Sequence, residues 1–297
     1  MESSQLSTLV LTTKFTNPII SCVRNEQPPS LSLAKRTYWQ GPYGAETYSP
    51  TSENPLLKSV AFVVGWGDRA LRHPLVGKLA ENVQATGLKL PRKAGNRRNH
   101  SSAIEYKAEA LSQFLHDNTT HVLIGHSEGG VTATLALYDA LRQKQQGKSD
   151  RPLPEHLILI APAGTTGIEP PAKLTLRFIE RSIRRFFASK ESRKSYIERS
   201  ITSKAFFVNP RVILQEAKGL SSISIWEKLQ YLQENGIHVS IIAGAYDHLF
   251  PASILQERAK EAGIPCSTLP IPHDGVHTCT DILASEIYRL IDTFHKN

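Results

Sequence analysis

The sequence predicts an α/β domain with a largely parallel sheet covered by helices on both faces. Three observations carry that expectation. Short apolar runs recur without polar alternation, as strands buried on both faces require: Ser59–Val64, His121–Ile124, His156–Ala161 and His238–Gly244, with Cys266–Ile271 as a fifth. Segments with helical apolar spacing separate them. Glycine or proline stops the strands, at Gly65, Gly125, Pro162 and Gly244.

In chain order, Leu6–Val23 alternates β-branched and polar residues and suits one or two edge strands, which Gln27-Pro28-Pro29-Ser30 interrupts. Tyr38–Asn54 carries Gly41, Pro42, Gly44 and Pro50 among aromatics and reads as a loop or short hairpin leading into the core. Helices are expected from Pro74 to about Gln84, over Ala103–His116, Val131–Gln145 and Ile254–Ala262, and over Thr280–Phe294. Residues 165–236 break the alternation between the third and fourth buried strands. Their mostly helical character suggests a cap inserted over the site. The expected organisation is an N-terminal segment 1–54, a core in two parts, 55–164 and 237–297, and the cap 165–236 between them.

Apolar residues make up 40% and charged residues 21% of the 297, an ordinary globular balance, and no run of eighteen apolar residues could span a bilayer. Cys22, Cys266 and Cys279 are odd in number and widely spaced, so they point to reduced thiols, not to a disulfide framework or a thiolate zinc site. Glu2 and the short Leu9–Leu11 run do not fit a secretory signal. A cytoplasmic location is expected, with the Ser- and Thr-rich first 22 residues leaving an organellar transit peptide as the alternative.

Gly125-His126-Ser127-Glu128-Gly129-Gly130 fits G-x-S-x-G and lies between a buried strand and a helix. A nucleophile on so tight a turn needs small neighbours where strand and helix approach, and the helix directs its first N–H groups toward developing negative charge. A serine hydroxyl needs a base and an orienting acid. Asp247, in Gly244-Ala245-Tyr246-Asp247-His248-Leu249-Phe250-Pro251, and His277, in His273-Asp274-Gly275-Val276-His277, supply them in the order Ser, Asp, His. His273 competes with His277 for the base, and Asp247 has an alternative as a simple turn former. A metal reading of His273, His277 and Cys279 has no helix or strand context behind it. His126 and Glu128 should point away from the nucleophile, toward solvent or supporting contacts.

These motifs resemble the α/β-hydrolase superfamily from about Ser59 to the C-terminus, with the cap matched in position but not in sequence. The resemblance implies an α/β-hydrolase fold, a mostly parallel eight-stranded sheet flanked by helices, and two-step acyl-enzyme chemistry. It assigns Ser127 as nucleophile, Asp247 as acid and His277 as base, because Gly-x-His after the last strand is the family pattern. The oxyanion hole would take the backbone N–H of Glu128 and one from the turn after the first buried strand. Trp66 is the first choice there, with Gly65 and Gly67 as alternatives. Relatives often carry His-Gly at this turn, where Val64 precedes Gly65 here.

The reading implies a serine hydrolase of a carboxylic ester or related acyl bond, with a small-molecule acyl substrate and neither cofactor nor metal. A ligand-binding or receptor-like member of the same fold is the alternative. Lys173–Lys204 holds ten basic residues against three acids, interleaved with Leu174, Phe178, Ile179, Ile183 and Phe186. That segment reads as an ordinary cap helix, as a face for an anionic membrane surface, or as an attractor for an anionic substrate. No nucleic-acid motif accompanies it, so no nucleic acid is expected as a partner.

Overall fold

The computed structural model describes residues 34–40, 43–52, 58–65, 73–91, 103–166, 177, 218–273 and 275–296. The edge strands expected in Leu6–Val23, and most of the cap expected at 165–236, lie outside those residues.

Eight strands form one sheet in the order β1-β2-β4-β3-β5-β6-β7-β8. They are β1 (Ala34–Gln40), β2 (Tyr43–Tyr48), β3 (Ser59–Val63), β4 (Gln84–Lys89), β5 (Val122–His126), β6 (His156–Ile160), β7 (His238–Gly244) and β8 (Cys266–Leu269). The first two make an antiparallel hairpin, and β2 is antiparallel to β4. From β4 to β8 every neighbouring pair is parallel. Both β1 and β2, which fall within the N-terminal segment 1–54, belong to this sheet.

Among the described residues the helices are α1 (Pro74–Leu79), α2 (Ala103–Asp117), α3 (Glu128–Gln145), α4 (Trp226–Glu234), α5 (Ala252–Glu261), α6 (Gly275–Thr278) and α7 (Thr280–Lys296). Successive side chains of each central strand feed opposite faces, as the pleat requires. Leu123, Leu157, Leu159, Val239 and Ile241 pack with Leu111 of α2, Leu137 of α3, Leu229 of α4 and Leu255 of α5. Val122, Ile124, Ile158, Ile160 and Ile242 pack on the other face with Leu75 and Leu79 of α1 and Leu283 and Ile287 of α7. The unbroken apolar runs follow from this two-sided burial.

One helix boundary and one strand depart from the expectation. The helix expected to run to Gln84 stops at Leu79, with Ala80 as its C-cap. Four residues later β4 begins, because Gln84 is needed at the start of a strand that pairs with β3. That strand escapes detection: exposed Gln84 and Lys89 flank it and Gly87 interrupts it.

Candidate active site

Ser127 sits at φ 53° and ψ −119° between the last residue of β5 and the first of α3. A left-handed φ is sterically costly for any residue with a Cβ, so the surrounding packing must impose it. The neighbouring glycines show how. A Cβ on Gly129 would lie 2.3 Å from the Val63 carbonyl oxygen, and one on Gly125 would lie 2.7 Å from that of Gly129. The turn is pinned by Ser127 N–H donating to the Ile160 carbonyl (3.0 Å), while the Ser127 carbonyl accepts from Gly130 and Ala163 N–H, each at 3.0 Å.

Asp247 follows β7 and is buried. Its turn rests directly on the chain leaving β8, since Ala245 N–H donates to the Leu269 carbonyl (2.8 Å) and Tyr246 N–H to that of Ile271 (3.2 Å). Asp247 Oδ1 accepts from Leu249 N–H at 2.7 Å and Phe250 N–H at 3.1 Å. Its Oδ2 accepts from His273 Nδ1 at 2.8 Å. Burial pushes the carboxyl pKa up, but the adjacent His273 and the two backbone N–H groups outweigh it and hold Asp247 below its ordinary value of 3.8.

The partner of Asp247 is thus His273, where the sequence favoured His277. The reason is where the strand ends. β8 stops at Leu269, two residues before the expected Ile271, so the loop reaches the carboxylate at His273. His277 is carried onward into α6, where its ring lies against His73 at 4.5 Å between centroids. His273 and His277 therefore face different neighbours.

His273 is buried and confined on several sides. Its ring lies 4.9 Å from that of His126 and 5.4 Å from that of Phe250, centroid to centroid. His126 Nε2–H donates to the His273 carbonyl at 3.0 Å, tying the His273 backbone to the residue that precedes Ser127. Because Nδ1 carries the proton offered to Asp247, the lone pair of a neutral His273 ring is on Nε2, the nitrogen that can accept another proton. His126 was foreseen only as a supporting contact, and nothing in its sequence position reveals this bond across 147 positions.

Glu128, the first residue of α3, is buried, and its carboxylate pairs with Lys107 of α2, also buried. Trp66 lies outside the described residues, whereas Gly65 is described and buried against His126 and Ser127. Arg177, in the basic stretch, donates from Nη1 to the Leu249 carbonyl at 3.4 Å, beside the acid turn. Ser127, Asp247 and His273 all stand beyond the carboxyl ends of parallel strands, at β5, β7 and β8, where sheets of this kind place their sites.

Solved structures similar in fold include a thermophilic esterase from Thermogutta terrifontis (18% identity, TM-score 0.61, 85% of this chain and 94% of that one). They also include a lipase-esterase related protein from Clostridium acetobutylicum (14%, 0.59, 84% and 99%) and the enol-lactonase from Burkholderia xenovorans (14%, 0.59, 84% and 96%). The chain has the α/β-hydrolase fold. No protein-family model matches the chain, and no curated protein matches it. The turn after β5 holds Ser127, the turn after β7 Asp247 and the loop after β8 His273, with the His273–Asp247 and His126–His273 bonds linking the three segments. Among the described residues no helix is long and apolar enough to cross a membrane.

Proposed function

We propose that the protein is a serine hydrolase that cleaves a carboxylic ester or related acyl bond of a small molecule through Ser127, His273 and Asp247. The observation that carries this reading is the buried bond from His273 Nδ1 to Asp247 Oδ2, at the same end of the sheet as a serine held at positive φ. Ser127 Oγ attacks the acyl carbon and passes its proton to His273 Nε2. The imidazolium is stabilised by Asp247 and returns the proton to the leaving alcohol as the acyl-enzyme forms. Water, activated by the same imidazole, then releases the acid.

The oxyanion takes the backbone N–H of Glu128 and a second N–H from the turn after β3, at Trp66 or a neighbouring glycine. The esterase and the lactonase on the same fold act on ester-type bonds, which supports acyl chemistry here. Cap, membrane-surface and anionic-substrate readings of the basic stretch rest on residues beyond those described, apart from Arg177.

The test is hydrolysis of p-nitrophenyl esters of graded chain length, run beside covalent labelling with a fluorophosphonate. Wild type is expected to turn over and take the label, and Ser127→Ala to lose both, with kcat down on the order of 10⁴-fold or more. A folded wild type that takes no label would favour a ligand-binding role for the fold instead.

A further inference from the structure

The Lys107–Glu128 pair is a charge device beside the nucleophile that the three-residue mechanism leaves unused. Glu128 is the residue immediately after Ser127, and its side chain is only 5% exposed; Lys107, reaching over from α2, is 8% exposed. Neither charge is screened by bulk water, so their effect on a nearby developing charge is far larger than at the surface. Buried ion pairs seldom repay their desolvation as stability, and an apolar pair of similar volume would hold α2 against α3 as well. What an apolar pair could not do is set the electrostatic balance of the elbow.

We propose that Lys107 is a positioning residue for the reaction: its cation neutralises the Glu128 carboxylate next to the hole in which the oxyanion forms. The proposal rests on the hydrolase reading, because it takes the Glu128 N–H as an oxyanion donor. A lone carboxylate one residue from the nucleophile would oppose the negative charge that grows on the carbonyl oxygen. It would oppose it in the transition state far more than in the bound ester, which carries no such charge, so the penalty falls on kcat and not on KM. With Lys107 in place the two charges of the pair offset one another. Anchoring the cation on α2 keeps the compensation independent of how α3 begins.

The sign of the charge separates this role from a purely structural one. With p-nitrophenyl butyrate as probe, Lys107→Met is expected to lower kcat on the order of tenfold or more with KM within about threefold. Lys107→Arg, which keeps the charge, should recover most of that loss, and so should Lys107→Met/Glu128→Gln, which removes both charges. Should Lys107→Met fail to fold, Glu128→Gln replaces it. That variant removes the Glu128 carboxylate and keeps the cation, so its kcat should exceed that of the double variant several-fold.

A double variant as slow as Lys107→Met, or kcat losses that merely follow the loss of Tm across the set, would overturn the proposal, as would equal kcat for Glu128→Gln and the double variant. Fluorophosphonate labelling of the same preparations separates the two levels. An unlabelled wild type overturns the hydrolase reading and this inference with it; a labelled wild type with any of the contrary kinetic results overturns this inference alone.

Discussion

Histidines stand at both ends of the sheet, and the two ends use them differently. At the amino ends, His121 Nδ1 meets the Ser59 hydroxyl at 2.9 Å, and His156 Nε2 meets that of Ser240 at 2.9 Å. His238 stacks on Phe294 of α7 with 5.1 Å between centroids. At the carboxyl ends, His273 meets the carboxylate of Asp247. Burial lowers the pKa of His238, which favours the neutral ring, whereas the ionised Asp247 favours the charged form of whatever imidazole it touches. The residue type is common to both ends; the rings meet hydroxyls or an aromatic face at one and a carboxylate at the other.

The sharpest way to break that contrast is to remove a ring from within the site end itself. His273→Ala should lower kcat by about 10⁴-fold, and Asp247→Asn by a similar factor through the wrong ring tautomer, whereas His277→Ala should cost less than about tenfold. Steady-state kinetics on a p-nitrophenyl ester checks all three. Equal losses from His273→Ala and His277→Ala would return the base to the position the sequence favoured.

A second, smaller contrast lies in the backbone. Gly129→Ala places a methyl 2.3 Å from the Val63 oxygen and should destabilise by about 3 kcal/mol or more, as overpacking of a rigid turn does. Gly236, just before β7, has instead a left-handed φ, 85°, and open space around it, so Gly236→Ala should cost only about 1 kcal/mol from backbone strain. Urea unfolding measures both. A Gly129→Ala variant as stable as Gly236→Ala would mean that the elbow is not sterically pinned.

The smallest effect is in pH. His238 has a folded pKa below its ordinary 6.5, so the unfolded chain takes up a proton first and stability declines as pH falls below 6.5 until the lowered folded value is passed. Asp247 works in a lower window: its depressed pKa gives stability that is present above 3.8 and is lost as pH falls through the folded value. Unfolding free energies across this range should show a shallower decline in His238→Gln near pH 6, with the acid-side loss retained. Identical curves would detach His238 from the pH response.

Much of this architecture was readable from residue order because two-sided burial writes itself as unbroken apolar runs. β3, β5, β6 and β7 were located within a residue or two, and the elbow followed from Gly125, Ser127 and Gly129. The less buried strands were harder. β4 is a polar-ended hexamer with an internal glycine, and the β1–β2 hairpin starts four residues before the aromatic stretch that signalled it. The histidine beside Asp247 was harder to read: the Gly-x-His pattern of the resemblance favours His277, whereas β8, only half-buried and ending at Leu269, leaves His273 as the ring that bonds the carboxylate. The Lys107–Glu128 and His126–His273 contacts are tertiary events between distant segments, which no local pattern announces.

The Asp247–His273 bond spans 26 positions, but the tie from His273 back to the elbow spans 147. A growing polypeptide therefore displays its serine long before His273 has been added to the chain. On the proposed mechanism that hydroxyl lacks its base until the scaffold is finished. Long-range closure of this kind is slow relative to local helix formation, so the onset of covalent labelling would time the docking of β7 and β8 against the strands already laid down.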